Sequence, residues 1–293
     1  MTAVTIDDTT ETVVPLPPAP SRRAAGRRPR AIRPSVVVAV VVLVAVVSWA
    51  FFPQLWTPYD PLVGDGSIAR QPPSLAHPFG TDAIGRDLFA RVVYGSSLSL
   101  QASLVAVAVA FVISSVVGLL AGFLGGWLDE VLMRVVDVLL SIPSLLVSLL
   151  LVTALGFGTL NVAIAVGIGS VAQFSRVMRS EVLKVRTSGF VEAAQGSGAR
   201  WWDILLRHVF PHAAGPVLSL VALEFGGAIL AIASLSFLGY GAQPPTPEWG
   251  SLISDGRQYL ATAWWLTTLP GLVIVVLVLT TNTLSRAIGG RRA

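Results

Sequence analysis

Long apolar runs alternate with shorter polar stretches along this chain. The first apolar run is Ser35 to Phe52 and is rich in valine. Later runs cover about Leu98 to Leu124, Val131 to Leu155, Asn161 to Met178, Ala213 to Leu238 and Leu266 to Leu284. Each is close to the roughly 20 apolar residues that carry a helix across a bilayer. β-branched residues lower helix propensity in water. In lipid the backbone must satisfy its own hydrogen bonds, so a helix is the solution for a single segment. The pattern predicts an all-α, polytopic membrane protein of about six transmembrane helices, with Pro143 kinking the third.

The polar stretches set the organisation. Residues 1–34 hold the proline run Pro15-Leu16-Pro17-Pro18-Ala19-Pro20, which excludes a helix, and then Arg22, Arg23, Arg27, Arg28, Arg30 and Arg33. They read as a disordered tail ending in a basic juxtamembrane cluster. A secretory signal peptide is the competing reading, but the tail is long and no clear small-residue cleavage site follows the apolar run. Residues 35–96 read as the first span and an extracytoplasmic segment rich in proline. Residues 97–288 read as the transmembrane core, with two short surface helices at about 189–211.

Composition agrees. Hydrophobic residues make up 54% of the 293 and charged residues 12%, about half the charged share of a soluble domain. Burying an apolar side chain is worth about 1.5–3 kcal/mol, and a soluble fold cannot hide so many. The absence of cysteine removes disulfides, thiolate metal sites and cysteine nucleophiles.

The net charge is +4, and its placement is more telling than its size. Six spans put both termini on one side. With the N-tail inside, sixteen of the twenty Lys and Arg residues fall inside, and Arg70, Arg86, Arg91 and Arg257 fall outside. By the positive-inside rule both termini are expected in the cytoplasm. Trp249, Trp264 and Trp265 are then expected at the outer membrane interface, where indole rings settle.

Residues 179–212 are long for a connection between spans. Helix formers lead to Gly196 and Gly198, which allow a sharp break. A second amphipathic helix follows, through Trp201, Trp202 and Ile204 to Pro211. Two short helices with a bend are therefore expected on the cytoplasmic surface.

This segment carries a resemblance. Glu192-Ala193-Ala194, then Gly198, then Pro211 is similar to the EAA loop of membrane subunits of ABC importers fed by a binding protein. His77-Pro78-Phe79-Gly80-Thr81-Asp82 with Gly85-Arg86-Asp87 resembles the segment after the first span in the dipeptide and oligopeptide importers. So does Leu235-Ser236-Phe237-Leu238-Gly239-Tyr240-Gly241, with Gln243-Pro244-Pro245 and Trp249-Gly250. Together these resemble the C-type permease of that family over about residues 35–285. Two places depart from the pattern. Ile232 stands where the family usually has an acid. After Asn282 the chain reads Thr283-Leu284-Ser285-Arg286 rather than the usual acidic ending.

The resemblance implies an ABC importer type I permease fold in a bacterial inner membrane. It implies partners: a sister permease, two ATPase subunits or one two-domain ATPase, and an extracytoplasmic substrate-binding protein. It implies that Glu192, Ala193, Ala194, Gly198 and Pro211 form a coupling helix docking in an ATPase groove. That agrees with the helix-in-groove mode open to a short, small-residue helix. A surface helix lying on lipid is the alternative.

Asp137 and Glu224 lie at membrane depth, where an acid costs at least about 2.5–3.5 kcal/mol and so faces a cavity or a partner. Either they line the translocation path, or they serve structure, with Arg134 one turn from Asp137 as its partner. Asp82, Arg86 and Asp87 are candidates for contact with the binding protein, or else cap and fasten the next helix. His208 and His212 are spaced i, i+4, but Pro211 lies between them and no acid is near, so no metal site is expected. Gly118, Gly122, Gly226 and Gly227 suit close helix packing.

A phosphate-binding loop needs glycines and a lysine in fixed order, and the single lysine, Lys184, has no such loop around it. The expectation is a non-catalytic subunit with no cofactor of its own, ATP and Mg²⁺ being held by partner ATPases, and with no nucleic-acid partner. Dipeptides or oligopeptides are the expected cargo. Nickel or another small solute is the alternative within the same machinery. A secondary transporter is the alternative outside it, and it would need coupling-ion sites and often a repeat.

Overall fold

The computed structural model describes residues 34–289. The basic tail lies outside the described residues, as do Arg291 and Arg292. Ten α-helices and no strand occur among the described residues: α1 (Pro34–Phe51), α2 (Leu88–Leu124), α3 (Gly126–Leu140), α4 (Ser144–Leu155), α5 (Thr159–Arg186), α6 (Gly189–Gly196), α7 (Trp201–Ile204), α8 (Phe210–Phe237), α9 (Trp249–Gly256) and α10 (Trp265–Gly289).

Five helical stretches are long and apolar enough to cross a membrane, and six if the bent pair α3 and α4 counts as one. That pair corrects the third predicted span. It is not a kinked rod but two helices at 94°. Pro143 takes an extended ψ of 130°, because its ring cannot accept the preceding turn of a helix.

The second span is longer than its apolar run. α2 starts at Leu88, where Asp87 caps it by accepting the Ala90 N–H at 2.6 Å. At about 1.5 Å per residue its 37 residues reach roughly 55 Å, well beyond a bilayer core. The added turns are buried in protein rather than lipid. Ala90, Arg91, Val92, Val93 and Ser96 are all enclosed, so polar residues are accommodated there.

α2 and α5 form the central pair, with α8 laid across both and α1 and α10 flanking. Glycine sets how closely α2 and α5 approach. A Cβ at Gly118 would stand 2.6 Å from the Met178 Cβ, and one at Gly122 would stand 2.8 Å from a Val182 methyl. Gly226 meets Thr281 of α10 in the same way, whereas around Gly227 the near atom is Glu224 Oε2 of its own helix. α1 turns Val37, Val38, Val40, Val41 and Val44 outward, as a lipid-facing stripe does.

On the face expected to be extracytoplasmic, residues 53–87 and α9 pack over the ends of α2 and α10. Trp249 is 1% exposed and donates from Nε1 to the Val92 carbonyl at 2.9 Å. Trp265 is also buried, and Trp264 is half exposed. The expectation that all three indoles lie at a lipid interface is therefore corrected. Two of them fasten the cap to the spans. Glu248 is enclosed as well. Its carboxylate accepts the Gly250 and Ser251 N–H groups at 3.0 Å, capping α9, and the Ser99 hydroxyl at 3.4 Å. Burial pushes this carboxyl above its ordinary value, and the donors oppose the shift.

Candidate functional site: the α6–α7 element

α5 leaves the bundle at Arg186 and the chain enters α6 within three residues. The junction is hydrogen-bonded throughout. Ser188 donates from its hydroxyl to the Val185 carbonyl at 2.5 Å, and its own carbonyl accepts the Val191 N–H at 2.9 Å. α6 then buries one side chain, Val191, and turns Glu192 and Ala193 outward, with Ala194 half-buried.

α6 ends as the glycine pattern predicts. Gly198 has φ +80°, a conformation that a Cβ disfavours. The Gly198 N–H reaches the Gln195 carbonyl at 3.0 Å and the Ala199 N–H reaches the Ala194 carbonyl at 3.2 Å. These are the paired 5→2 and 6→1 bonds of a Schellman stop. The chain turns and restarts at Trp201.

The second helix does not stop at Pro211. Leu205–Val209 is a π-helical turn, and the Phe210 N–H bonds to the Leu205 carbonyl. Pro211 sits in the first turn of α8. A proline lacks the N–H that an α-turn would use there, and the widened turn accommodates it. α7, the π-turn and α8 therefore form one rod from Trp201 to Phe237.

A single apolar cluster roots both short helices in the spans. It joins Val191 of α6, Ile204 of α7, and Leu205 and Val209 of the π-turn to Phe174, Met178 and Val182 of α5 and to Leu119 and Phe123 of α2. The opposite side of the element is open. Phe190, Trp201, Trp202 and Leu206 are each more than 40% exposed. Phe190 stacks on His212 at 4.8 Å between ring centres, and Arg200 lies over Trp202 at 5.2 Å. The His212 Nδ1 meets the His208 carbonyl at 2.6 Å, so the two histidines are tied by backbone contact along one helix.

The other candidates fall elsewhere. Glu224 and Gln173 each stand at the middle of a 28-residue helix, and the Gln173 amide donates to Glu224 at 3.4 Å. Asp137 does not use Arg134. Its partner is Arg176 of α5 at 2.5 Å. At the other end of the molecule, Asp82 pairs with Arg86 at 2.6 Å and lies 3.7 Å from the buried Arg91. Asp87 is 3% exposed, capping α2 and meeting His77 Nδ1 at 2.8 Å. The fastening reading fits Asp87, whose carboxylate is already committed. Ile232, where the family usually has an acid, is buried in the apolar core.

Four residues with clear structural roles escaped the sequence reading: Gln173, Arg176, Arg179 and Glu248. The α5 trio held a usable signal, three polar side chains within seven residues on one side of a helix of membrane depth. Glu248 before Trp249 had the form of an N-cap.

The chain is a bundle of long apolar helices with an anchored, glycine-broken helix pair between two of them, and comparison with known proteins gives its family. Residues 114–292 match the family described as "Binding-protein-dependent transport system inner membrane component". The chain belongs to that family. It is 43% identical over 252 residues to the dipeptide transport system permease protein DppC of Escherichia coli K12, covering 84% of each chain. It is 39% identical over 242 residues to the probable D,D-dipeptide transport system permease protein DdpC of the same organism, covering 83% of this chain and 81% of the relative. It is 38% identical over 260 residues to the glutathione transport system permease protein GsiD of Pectobacterium atrosepticum, covering 87% of this chain and 85% of the relative. Among solved structures it resembles an amino acid ABC transporter, with a TM-score of 0.54 at 17% identity over 70% of this chain and 95% of that one. It resembles the MetNI methionine ABC transporter to the same degree, at 18% identity over 68% of this chain and 96% of that one.

Proposed function

We propose that this chain is a permease subunit of an ATP-driven importer that moves dipeptides or short oligopeptides into a bacterial cytoplasm. One observation carries the proposal. The α6–α7 element is fixed to the spans on one side through Val191, Ile204 and Val209, and open on the other along Phe190, Glu192 and Trp201. A lever that receives force from another protein needs both properties. The cargo reading rests on relatives named for dipeptide, D,D-dipeptide and glutathione transport. The expected orientation, with both termini inside, rests on the placement of Lys and Arg.

In this reading the chain holds no nucleotide. ATP and Mg²⁺ belong to two ATPase subunits or one two-domain ATPase. A sister permease completes the path, and an extracytoplasmic binding protein delivers the peptide. Closure of the ATPases displaces α6, with Gly198 and Pro211 shaping the lever that carries Glu192, Ala193 and Ala194. The continuous rod from Trp201 to Phe237 carries the displacement to Glu224 at mid-membrane. Each state is set by differential contacts, as any two-state transport cycle requires. In this reading Glu224 and Asp137 face the path, because at membrane depth a charged group meets water or a partner rather than lipid.

The test is uptake of labelled dipeptides by a strain lacking this gene and by the same strain complemented with it. Complementation should restore uptake, and Glu224→Gln should lower it several-fold. Full uptake without the gene would reject the reading.

A further inference from the structure

Two ion pairs tie α3 to α5, and the coupling element does not need them for its own shape. α3 carries Asp129 and Asp137, about 12 Å apart along its axis at 1.5 Å per residue. α5 carries Arg176 and Arg179, one turn apart. The two pairs differ in kind. Arg179 holds Asp129 with two bonds, from Nε and from a terminal nitrogen, both at 2.5 Å, and the side chains are 32% and 18% exposed. Arg176 holds Asp137 with one bond at 2.5 Å, and the side chains are 59% and 56% exposed. A forked, sheltered pair fixes geometry. A single pair that opens onto a water-filled path is cheap to break and remake.

The surroundings give this difference a use. Asp137 lies one turn before the 94° elbow at Ser141-Ile142-Pro143. Val136 is the buried residue of α3, and beyond it Asp137, Val138 and Leu140 are exposed, so little apolar packing holds the last turn before the elbow. Beyond the elbow α4 is seated on α5 independently, with Val152 buried and Ser148 against Gly169. α5 in turn runs through Ser188 into α6. A displacement of α6 therefore reaches α3 through these two arginines.

We infer that Asp129–Arg179 is a fixed pivot and Asp137–Arg176 a releasable latch that positions the α3–α4 elbow at the inner half of the transport path. The latch holds the elbow on α5 in one state. Its release lets α3 tilt about the pivot in the other, with both charges then hydrated by the open path. Asp137 is thus a positioning residue rather than a peptide contact. The inference rests on the importer reading above.

The test uses the complete complex in proteoliposomes and reads ATP hydrolysed per peptide imported. Asp137→Asn and Arg176→Gln should each raise that ratio several-fold. The exchange Asp137→Arg with Arg176→Asp should bring it back to within about twofold of wild type. An exchange cannot rescue a group that touches the peptide, and a merely structural loss would lower uptake and hydrolysis together. A second experiment uses the lack of native cysteine in this chain. Asp137→Cys with Arg176→Cys, joined by a flexible bismaleimide, should lower uptake more than tenfold. Asp129→Cys with Arg179→Cys, joined in the same way, should leave it within about twofold. Unchanged ratios in the single variants, failed rescue by the exchange, or full transport with 137 joined to 176 would overturn the latch. Arrest with 129 joined to 179 would overturn the pivot. Failure of the importer reading itself looks different, because the wild-type complex would then show no ATP-driven uptake.

Discussion

Gly118 of α2 lies directly against Met178 of α5, so close that a Cβ on the glycine would stand 2.6 Å from the Met178 Cβ and 2.8 Å from the Ser175 carbonyl oxygen. The second of these neighbours is backbone and cannot swing aside. Gly118→Leu should force the helices apart and cost about 1–3 kcal/mol, the usual range for overpacking. The thermal midpoint of the purified protein in detergent should fall, and the yield from membranes with it.

Gly198 and Gly196 offer a contrast within the coupling element. Both have open space where a Cβ would go, but Gly198 alone of the two has a positive φ, +80°. Gly198→Ala should strain the stop between α6 and α7 by about 1–2 kcal/mol. Gly196→Ala should cost nothing, because Gly196 is the last helical residue of α6 and alanine favours helix over glycine. In the assembled complex Gly198→Ala should lower uptake per ATP hydrolysed, while Gly196→Ala matches wild type.

Asp87 separates fastening from docking. Its carboxylate caps α2 through the Ala90 N–H and is 3% exposed. Asp87→Ala should cost about 1 kcal/mol of stability, and Asp87→Asn, which keeps an acceptor, much less. Binding-protein affinity, measured on the folded fraction, should be the same in both. A large affinity loss in Asp87→Asn with unchanged melting would restore the docking role.

Glu248 gives a pH signature. Burial raises its carboxyl pKa, so the folded state holds the proton more tightly than the unfolded chain. Stability from this group is complete below the unfolded value, near about 4.3, and is lost as pH rises through the folded value. Melting of wild type should therefore fall relative to Glu248→Gln as pH rises above about 4.3. Glu248→Ala leaves two N–H donors uncapped, and should cost about 1–3 kcal/mol at any pH in that range.

Spans were legible in the sequence because bilayer burial writes itself as unbroken apolar runs, and Ser35 to Phe52 needs no partner to be read. Where protein replaces lipid the signal fades. Leu88 to Ser97 continues α2 as a helix, yet Arg91 and Ser96 sit in it because residues 53–87 and α9 enclose them. Gly198 was readable because its φ is a local requirement. Pro211 misled because the π-turn before it, with Phe210 bonded to Leu205, lets one helix run on. The ion pairs of α3 and α5 depend on how two helices cross, and no spacing within either helix specifies that.

As an importer subunit, this chain should move peptide only when ATPases act on its α6–α7 element. Proteoliposomes holding the complete complex, with binding protein and labelled dipeptide on one side and ATP on the other, test it most directly. Uptake should need ATP and should be lost when the element's ATPase contact is removed by Glu192→Arg, with the complex still assembled. Uptake by vesicles that hold this chain and its sister permease without any ATPase would contradict it.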